Sequence, residues 1–510
     1  MNNYEKIIAS NPWWIQAEQF AYNDMDLGKK LFIQFSKKEP DIKINNIYII
    51  KGPRRIGKTY WIKNRIKNAI INKEFEKRDI FYFSFDSIES NVEFENMLRW
   101  FIIEQPHQGS ILLFLDEIQN IKNWQNTIKS FYDAGILKNA AVVITGSLAY
   151  ALEINELLGR IKESNIFLMQ PLCFSQFIKD ILNINILNKN LEPIGFIMHY
   201  IKQDITANEI KSLNQNLNQT KLDLNSNINE YSKAINSMLP YLPLLNKFFS
   251  IYLRTGGYPF IINKYFSNRN QEQKKEEIND AYFTIYTYAK NDAASLATGR
   301  PGDPIKAGKV LEITCKHIGE KISNAKMARE INLDQMTFSS YLNRLDGSFV
   351  FLRLNGIDSR LKPHQIIKYY FADVAMHYAT ASSYLIKDTY DVIEEIIQSN
   401  KIGLIVEEIV VNHIARINET AIMKKPDKYL KFMELNSRKE IDIVYTAKLN
   451  EPVGIEIKYQ NNIDAHDIIK TKLINKNIII TKHNLEISEN ILFVPASLFL
   501  VLLPISQANI

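Results

Sequence analysis

Gly52-Pro-Arg-Arg-Ile-Gly57-Lys58-Thr59 follows the apolar run NIYIIK (46–51) and precedes KTYWIKNRIKNAIINKEF (58–75), in which Ile62, Ile66 and Ile70 recur at helical spacing. The octapeptide fits G-x-x-x-x-G-K-[ST] and sits between a strand and a helix, where phosphate binding needs it. Glycine lets the backbone curl so that its N–H groups face one point, and the following helix N-terminus adds positive potential. On this reading Gly52, Pro53, Arg54, Arg55, Ile56, Gly57, Lys58 and Thr59 line a nucleotide site. Lys58 reaches the β- and γ-phosphates of ATP, and the Thr59 hydroxyl ligates Mg²⁺.

Downstream, DIFYFSFD (79–86), ILLFLDE (111–117) and AAVVITGS (140–147) are short runs rich in Ile, Val, Leu, Phe and Tyr. Such runs suit parallel strands buried on both faces, and their alternation with helical segments predicts a βαβ sheet. ILLFLDE ends in two carboxylates. Asp116 is placed to hold the magnesium, through water, and Glu117 to polarise the attacking water. The third run ends in Thr145-Gly146-Ser147. Thr145 can hydrogen-bond the γ-phosphate or the attacking water, although Thr-Gly-Ser is also ordinary turn chemistry. Arg160, in Leu158-Gly159-Arg160, is a candidate to stabilise transition-state charge in its own subunit or a neighbour's. A solvated surface arginine is the competing reading.

These segments, GPRRIGKT, LLFLDEIQ, ITGS and LLGR, together with PLCFSQF (171–177), resemble the AAA-type ATPase domain of the AAA+ superfamily. That domain is common in bacterial and archaeal chains that also carry a C-terminal domain of unknown function. YLRTGGYPF (252–260) is similar to the lid segment of such chains. The likeness continues through ISNAKMAREINLDQMTFSSYLNRL, KYYFADVAMHY, GLIVEE, EIDIVY and GIEIKY, so that it covers roughly 40–180 and 250–480. It implies an ATPase whose cofactors are ATP and Mg²⁺.

The 510 residues exceed one hydrophobic core, so three or four domains are expected. Two cysteines, Cys173 and Cys315, exclude a disulfide framework and fit a reducing, cytoplasmic setting. MNNYEKIIASNPWW lacks the pattern of a signal peptide, and no apolar run reaches the ~18 residues of a membrane span, so no membrane partner is expected. ILFVPASLFLVLLPI (491–505), the longest candidate, reads as a buried strand and helix. A net charge of +6 permits a nucleic-acid partner without arguing for one.

The Asn-rich stretch 183–240 reads as a long, mostly exposed helix or helical hairpin, or as a mobile insertion. Residues 322–331 and 335–345 read as two helices joined by Asn332-Leu333-Asp334, with Phe349–Leu354 as a following strand. That order suits a winged helix. Gln335, Thr337, Ser340, Asn343 and Arg344 then face outward as groups able to touch DNA, although winged helices also serve as packing or protein-docking modules. Further on, Glu407 falls on a helix, Asp442 in a strand, and Glu456-Ile457-Lys458 in the next strand. This order resembles the PD-(D/E)XK nucleases. It implies that Glu407, Asp442 and Glu456 hold Mg²⁺ beside a scissile phosphate while Lys458 positions or deprotonates a water.

The resulting expectation is a multidomain α/β chain. It comprises an N-terminal segment (1–40), a P-loop parallel-sheet AAA+ core (41–180), a helical lid with the Asn-rich insertion (181–300), a winged helix-turn-helix (301–360) and a restriction-endonuclease-like α/β domain (361–510). Its expected function is ATP binding and hydrolysis that controls a DNA-associated C-terminal module. The alternative is a non-catalytic ATP-gated switch or regulator. DNA, a protein partner and further copies of the chain are the partners left open.

Overall fold

Five runs of β-branched and aromatic residues form the first sheet. They are β1 (Asn46–Lys51), β2 (Ile80–Ser84), β3 (Ile111–Asp116), β4 (Ala140–Gly146) and β5 (Ile166–Leu168), in the order β2-β3-β4-β1-β5 with every pair parallel. Strands β3 and β4 are buried along their whole length, as a parallel sheet covered on both faces requires. The computed structural model describes residues 3–16, 20, 40–87, 90–147, 157, 159–187, 206–266, 271–295, 302–358, 360, 362–417, 429–436, 439–447, 451–461, 463, 471, 473–474, 476–488 and 491–505.

The edge of β2 is covered by the chain's own beginning. After helix α1 (Asn3–Ser10), the Asn11 side chain accepts from the Tyr82 N–H at 2.7 Å and donates to the Tyr82 carbonyl at 2.9 Å, imitating a neighbouring strand. The indoles of Trp13 and Trp14 both donate to the Ile80 carbonyl. An edge satisfied in this way cannot template another chain.

The elements used below are α2 (Lys58–Ile71), α3 (Trp124–Asp133), α4 (Phe174–Leu187), α5 (Leu242–Thr255), α6 (Gln271–Ala294), α7 (Pro304–Lys316), α8 (Asn324–Glu330), α9 (Gln335–Gly347), α10 (Val374–Leu385) and α11 (Ile402–Ala415). Helix α6 packs against α7, α9 and α10 and forms the spine of the middle of the chain. Helices α8 and α9 start on the side-chain caps Ser323 and Asp334, each accepting from the third backbone N–H of its helix.

The second sheet holds eight strands. They are β6 (Phe351–Asp358), β7 (Pro363–Phe371), β8 (Leu430–Asn436), β9 (Lys439–Tyr445), β10 (Val453–Lys458), β11 (Lys476–Thr481), β12 (Glu486–Ile487) and β13 (Ile491–Pro495), in the order β12-β13-β11-β10-β9-β8-β6-β7. The expected strand at 349–354 is β6. It starts later, runs further and pairs with β8 as well as β7, so the hairpin belongs to the large sheet and spans the expected boundary at 360/361. Residues 491–505 form β13 and a buried helix, Ala496–Leu502, as read from their apolar run.

The Asn-rich stretch is a helical pair, one of the forms expected of it, with one face buried. Residues 188–205 lie outside those described, but 207–219 and 228–238 form a helical pair whose Leu213, Leu217, Tyr231 and Ile235 are buried. The Leu222 N–H donates to the Leu502 carbonyl at 2.9 Å, tying the pair to the last helix. A sparse apolar stripe among asparagines was enough to dock it.

The two sheets meet through the phrases PLCFSQF and GGYP. Leu172 and Gly257 are joined by Leu172 N–H to Gly257 O at 2.7 Å, and Tyr252 on α5 donates to Leu172 O at 2.7 Å. From the C-terminal region Arg416 donates to Pro171 O at 2.6 Å. The Asp373 carboxylate accepts from the Gly257 N–H at 2.8 Å and the Ala375 N–H at 2.9 Å. His413 accepts from the Phe174 N–H at 2.8 Å while its other nitrogen faces the Ile409 carbonyl. That pattern needs a neutral imidazole, and burial pushes its pKa down to about 3.

Gly257 leaves no room for a side chain, since a Cβ there would lie 2.3 Å from Leu172 O and 2.6 Å from Leu172 N. Both are backbone atoms held by the joint. Gly257→Ala is therefore expected to destabilise the chain by about 2–4 kcal/mol, measured as a lowered urea midpoint. An unchanged midpoint would mean that the joint yields freely.

Candidate functional site

The strand order places the C-terminal ends of β1, β4 and β3 side by side, and with them the loop 52–59, Thr145 and the pair Asp116-Glu117. Gly52 is fixed by close packing, because a Cβ there would lie 2.2 Å from the Met169 carbonyl oxygen. Gly57 precedes α2 at φ 104°, a left-handed conformation glycine adopts without strain, and it opens onto free space. Lys58 is buried. Its ammonium donates to Gly52 O at 2.9 Å and Pro53 O at 3.0 Å and lies 3.7 Å from Glu117 Oε1. Thr59 Oγ1 donates to Asp116 Oδ2 at 2.7 Å.

Asp116 is sealed in, with Tyr82 and Thr145 as further donors. Burial and the neighbouring Glu117 charge raise its pKa against those hydrogen bonds. Glu117 stands at φ 53°, a strained setting for a non-glycine residue and one that functional sites tolerate. Burial opposes its charge, yet Lys58 and Arg54, with hydrogen bonds from Gln119 and Ser147, hold it below the usual carboxylate range. The two carboxylates thus have unlike tasks set by unlike surroundings.

These residues suit ATP and Mg²⁺. A threonine hydroxyl beside a buried carboxylate is a hard-oxygen donor pair of the kind magnesium takes together with water. An asparate of raised pKa next to a second acid is a place where a cation relieves repulsion. Gln119 Oε1 is buried with no hydrogen-bond partner among the described residues, which leaves a polar acceptor on the side chain that holds Glu117. Thr145 lies between the two acids, donating to Asp116 and accepting from the Glu117 N–H at 3.3 Å.

Other expected residues are placed differently. The Arg160 guanidinium holds the Asp133 carboxylate at the end of α3 through two 2.7 Å hydrogen bonds on the surface, so its described partner is an acid of its own subunit. On α9, Gln335, Ser340 and Asn343 are exposed and Thr337 is half-buried. Arg344, expected to face outward, instead turns to α6 and donates to the Ala293 carbonyl at 3.2 Å.

The C-terminal acids divide. Glu407 on α11 accepts from the Tyr370 hydroxyl at 2.5 Å and lies 3.8 Å from the Lys368 ammonium, which also holds Glu440 at 2.6 Å. Burial and the nearby Asp442 charge push Glu407 up to about 7. Asp442 Oδ2 accepts from the Ile457 N–H at 2.9 Å, at a bulge between β8 and β9. Ile455 and Ile457 both pack into the main core, so Glu456 between them, and Lys458 two residues on, project to the other face of β10. There Lys458 lies 3.7 Å from Glu456. Among the described residues no group of three or more His, Cys, Asp or Glu is arranged to hold a metal. The structure therefore sets Glu407, Asp442 and Lys368 in one electrostatic group, with the Lys458 charge also acting on Asp442.

Because folding raises the Glu407 pKa from an ordinary 4.5 to about 7, the folded state binds the proton more tightly than the unfolded one. Stability should fall as pH rises through that window. Glu407→Gln is expected to flatten the fall, read as urea midpoints of both proteins at about pH 5 and about pH 8. Parallel pH profiles would show that Glu407 does not titrate there.

Sequence reasoning missed Asp292, Tyr288, Lys368 and Tyr370. Asp292, on α6, forms a 2.9 Å ion pair with Arg54 of the loop, and Tyr288 lies against both Arg54 and Arg55. Neither sits in a recognisable pattern. Gln119 and Ser147 stood inside the quoted segments LLFLDEIQ and AAVVITGS without being named as site residues.

Comparisons with known proteins agree with the first region. Residues 44–178 match the family model of an AAA domain. Residues 246–383 match a family described as a domain of unknown function (DUF8612). The uncharacterized protein MJ1544 of Methanocaldococcus jannaschii is 30% identical over 168 residues, 32% of this chain and 35% of that protein. The uncharacterized protein MJ1637 of the same organism is 22% identical over 69% of this chain and 65% of its own length. An uncharacterized Haemophilus influenzae protein is 24% identical over 64% of this chain and 67% of its own. The chain thus spans about a third of MJ1544 and just under two thirds of MJ1637.

Among solved structures, the Aeropyrum pernix ORC1 protein in complex with DNA shares 12% identity, covering 73% of this chain and 91% of that one at a TM-score of 0.30. A Thermotoga maritima RuvB shares 12%, covering 60% and 81% at 0.26. TM-scores so low carry no argument. Residues 44–178 thus match an AAA domain model and carry a parallel sheet of order β2-β3-β4-β1-β5 with the loop 52–59 at its C-terminal ends.

Proposed function

We propose that the chain binds and hydrolyses ATP with Mg²⁺, and that its nucleotide state controls the region that follows. The observation that carries this reading is the meeting of Lys58, Thr59, Asp116, Glu117 and Thr145 at the adjacent ends of β1, β3 and β4. Thr59 and Asp116 would hold the magnesium, which when bound neutralises phosphate charge. Lys58 reaches the triphosphate from the start of α2. Glu117, kept ionised by Lys58 and Arg54 and oriented by Gln119 and Ser147, accepts the proton of an attacking water. Thr145 fixes the Asp116 carboxylate.

The segment 304–371, in the order helix, helix, helix and β-hairpin, supports a winged helix as the module under control. The isolated bridge between Ile322 and Ile367 supports it further. A second reading, a switch acting through a protein partner, is favoured by Arg344, the basic residue of α9, whose guanidinium donates to the Ala293 carbonyl of α6. The C-terminal acids carry no part of this proposal: Glu407 and Asp442 act on one another beside Lys368, and Glu456 lies 3.7 Å from Lys458 on β10. The test is ATP turnover with and without duplex and single-stranded DNA. Stimulation by DNA supports the first partner, DNA-independent turnover the second, and no ATP binding overturns the proposal.

A further inference from the structure

Arg54 is the third residue of the phosphate loop, yet its strongest partner lies 238 positions away. Its Nε donates to Asp292 Oδ1 at 2.9 Å, and its guanidinium lies 5.3 Å from the centre of the Tyr288 ring. The Arg55 guanidinium lies 5.2 Å from the same ring and 3.3 Å from its hydroxyl. Tyr288 and Asp292 stand four residues apart, on one face of α6. A ring held by two arginines, and an acid holding one of them, thus grip the outer turn of the loop.

Asp292 is 6% exposed. Burial pushes it up to about 6 despite Arg54, and the charges of Glu117 and Lys58 act on it as well. A buried acid in the field of the two phosphate-site residues is a rival to any anion that enters. The next two residues make their contacts through their carbonyls at the end of the helix. Ala293 O accepts from Arg344 of α9, and Ala294 O accepts from the Gly302 N–H at 2.9 Å. Arg344 lies over the Tyr341 ring, whose hydroxyl accepts from the Asp303 N–H at 2.5 Å. One end of one helix therefore touches the phosphate loop with Asp292 and the second helix of the helix–turn–helix with Ala293.

We propose that Asp292 and Tyr288 form a latch on Arg54 and Arg55 that the phosphates of ATP compete to release, and that release is passed through Ala293 and Arg344 to α9. The latch rests on the ATP-site reading. Its logic is reciprocal: whatever affinity ATP gains when Asp292 is neutralised equals the bias ATP exerts on the Arg54–Asp292 contact. The path is short because no flexible segment lies between the two contacts. They sit on adjacent residues of a helix that also packs on α7 and α10.

The experiment uses the full chain and ATP with Mg²⁺. Calorimetric titration should show Asp292→Asn binding ATP about five- to tenfold more tightly than wild type, an increment of about 1.0–1.4 kcal/mol. Hydrogen exchange read over 335–347 should rise in wild type on adding ATP, and should already be raised in nucleotide-free Asp292→Asn. Tyr288→Ala, at a half-buried position, should shift both readouts in the same direction and carries the test if Asp292→Asn does not fold. Wild-type binding that Lys58→Ala abolishes, with Asp292→Asn affinity unchanged or weaker, overturns the latch and leaves the ATP site standing. Unchanged exchange over 335–347 on ATP addition overturns the path to α9. Absence of ATP binding by wild type overturns the site itself, and the latch with it.

Discussion

Lys58→Ala is expected to weaken ATP binding by about a hundredfold or more. The ammonium sits within the loop itself, held by Gly52 O and Pro53 O, and it is 4% exposed. A buried charge facing phosphate oxygens makes charge-assisted hydrogen bonds of about 1.5–3 kcal/mol each, so losing two such contacts removes at least about 3 kcal/mol. Removal also leaves Glu117 without its nearest cation, which works against a second negative group entering the site. The effect should appear in calorimetric titration below the thermal midpoint of the nucleotide-free protein, which should itself fall because Glu117 is left buried without its cation. Retained micromolar affinity in the variant would remove the basis for reading 52–59 as the phosphate loop.

Glu117→Gln should separate binding from turnover. The amide keeps the size and most contacts of the carboxylate, so ATP affinity should stay within a few-fold of wild type. It cannot take a proton from water, and turnover should fall at least tenfold, toward the ~10²–10⁴-fold that general base catalysis contributes. The surroundings argue for a base. Lys58 and Arg54 favour the ionised form, and Gln119 and Ser147 orient it, while Asp116 one residue earlier is pushed toward the proton and placed against Thr59. Steady-state turnover of the variant near the wild-type rate would assign the water to another group.

Local pattern alone identified the first sheet. NIYIIK, ILLFLD and AAVVITG are apolar on both faces, and strands of that kind have no stable setting except between two helical layers. Together with glycines at 52 and 57 and the acids at 116 and 117, this defined the nucleotide site before any coordinate. Thr145 was legible for the same reason, as the polar end of an otherwise apolar run, although which acid it would touch was not.

The C-terminal acids show the limit. A helix acid, a strand acid and E-x-K in the right order say nothing of which face each presents, because one bulge reverses the alternation of a strand. The pairing of β8 with β9 is irregular around Met433 and Ile441, and Asp442 there acts on Glu407 and accepts from the Ile457 N–H, while Glu456 stands between two residues packed on the core. Arg344 and Arg160 likewise read as outward cations until their partners, Ala293 and Asp133, were brought to them from distant segments.

The candidate phosphate loop, the parallel sheet around it and the acids 116 and 117 were all legible in local pattern, because each depends on residues within a few positions of one another. The packing of distant segments sets Gly257 against Leu172, Lys368 beside Glu407, and Asp292 on Arg54. Those contacts join segments from 39 to 238 residues apart and take their register from helix packing and strand pairing, which no local pattern encodes.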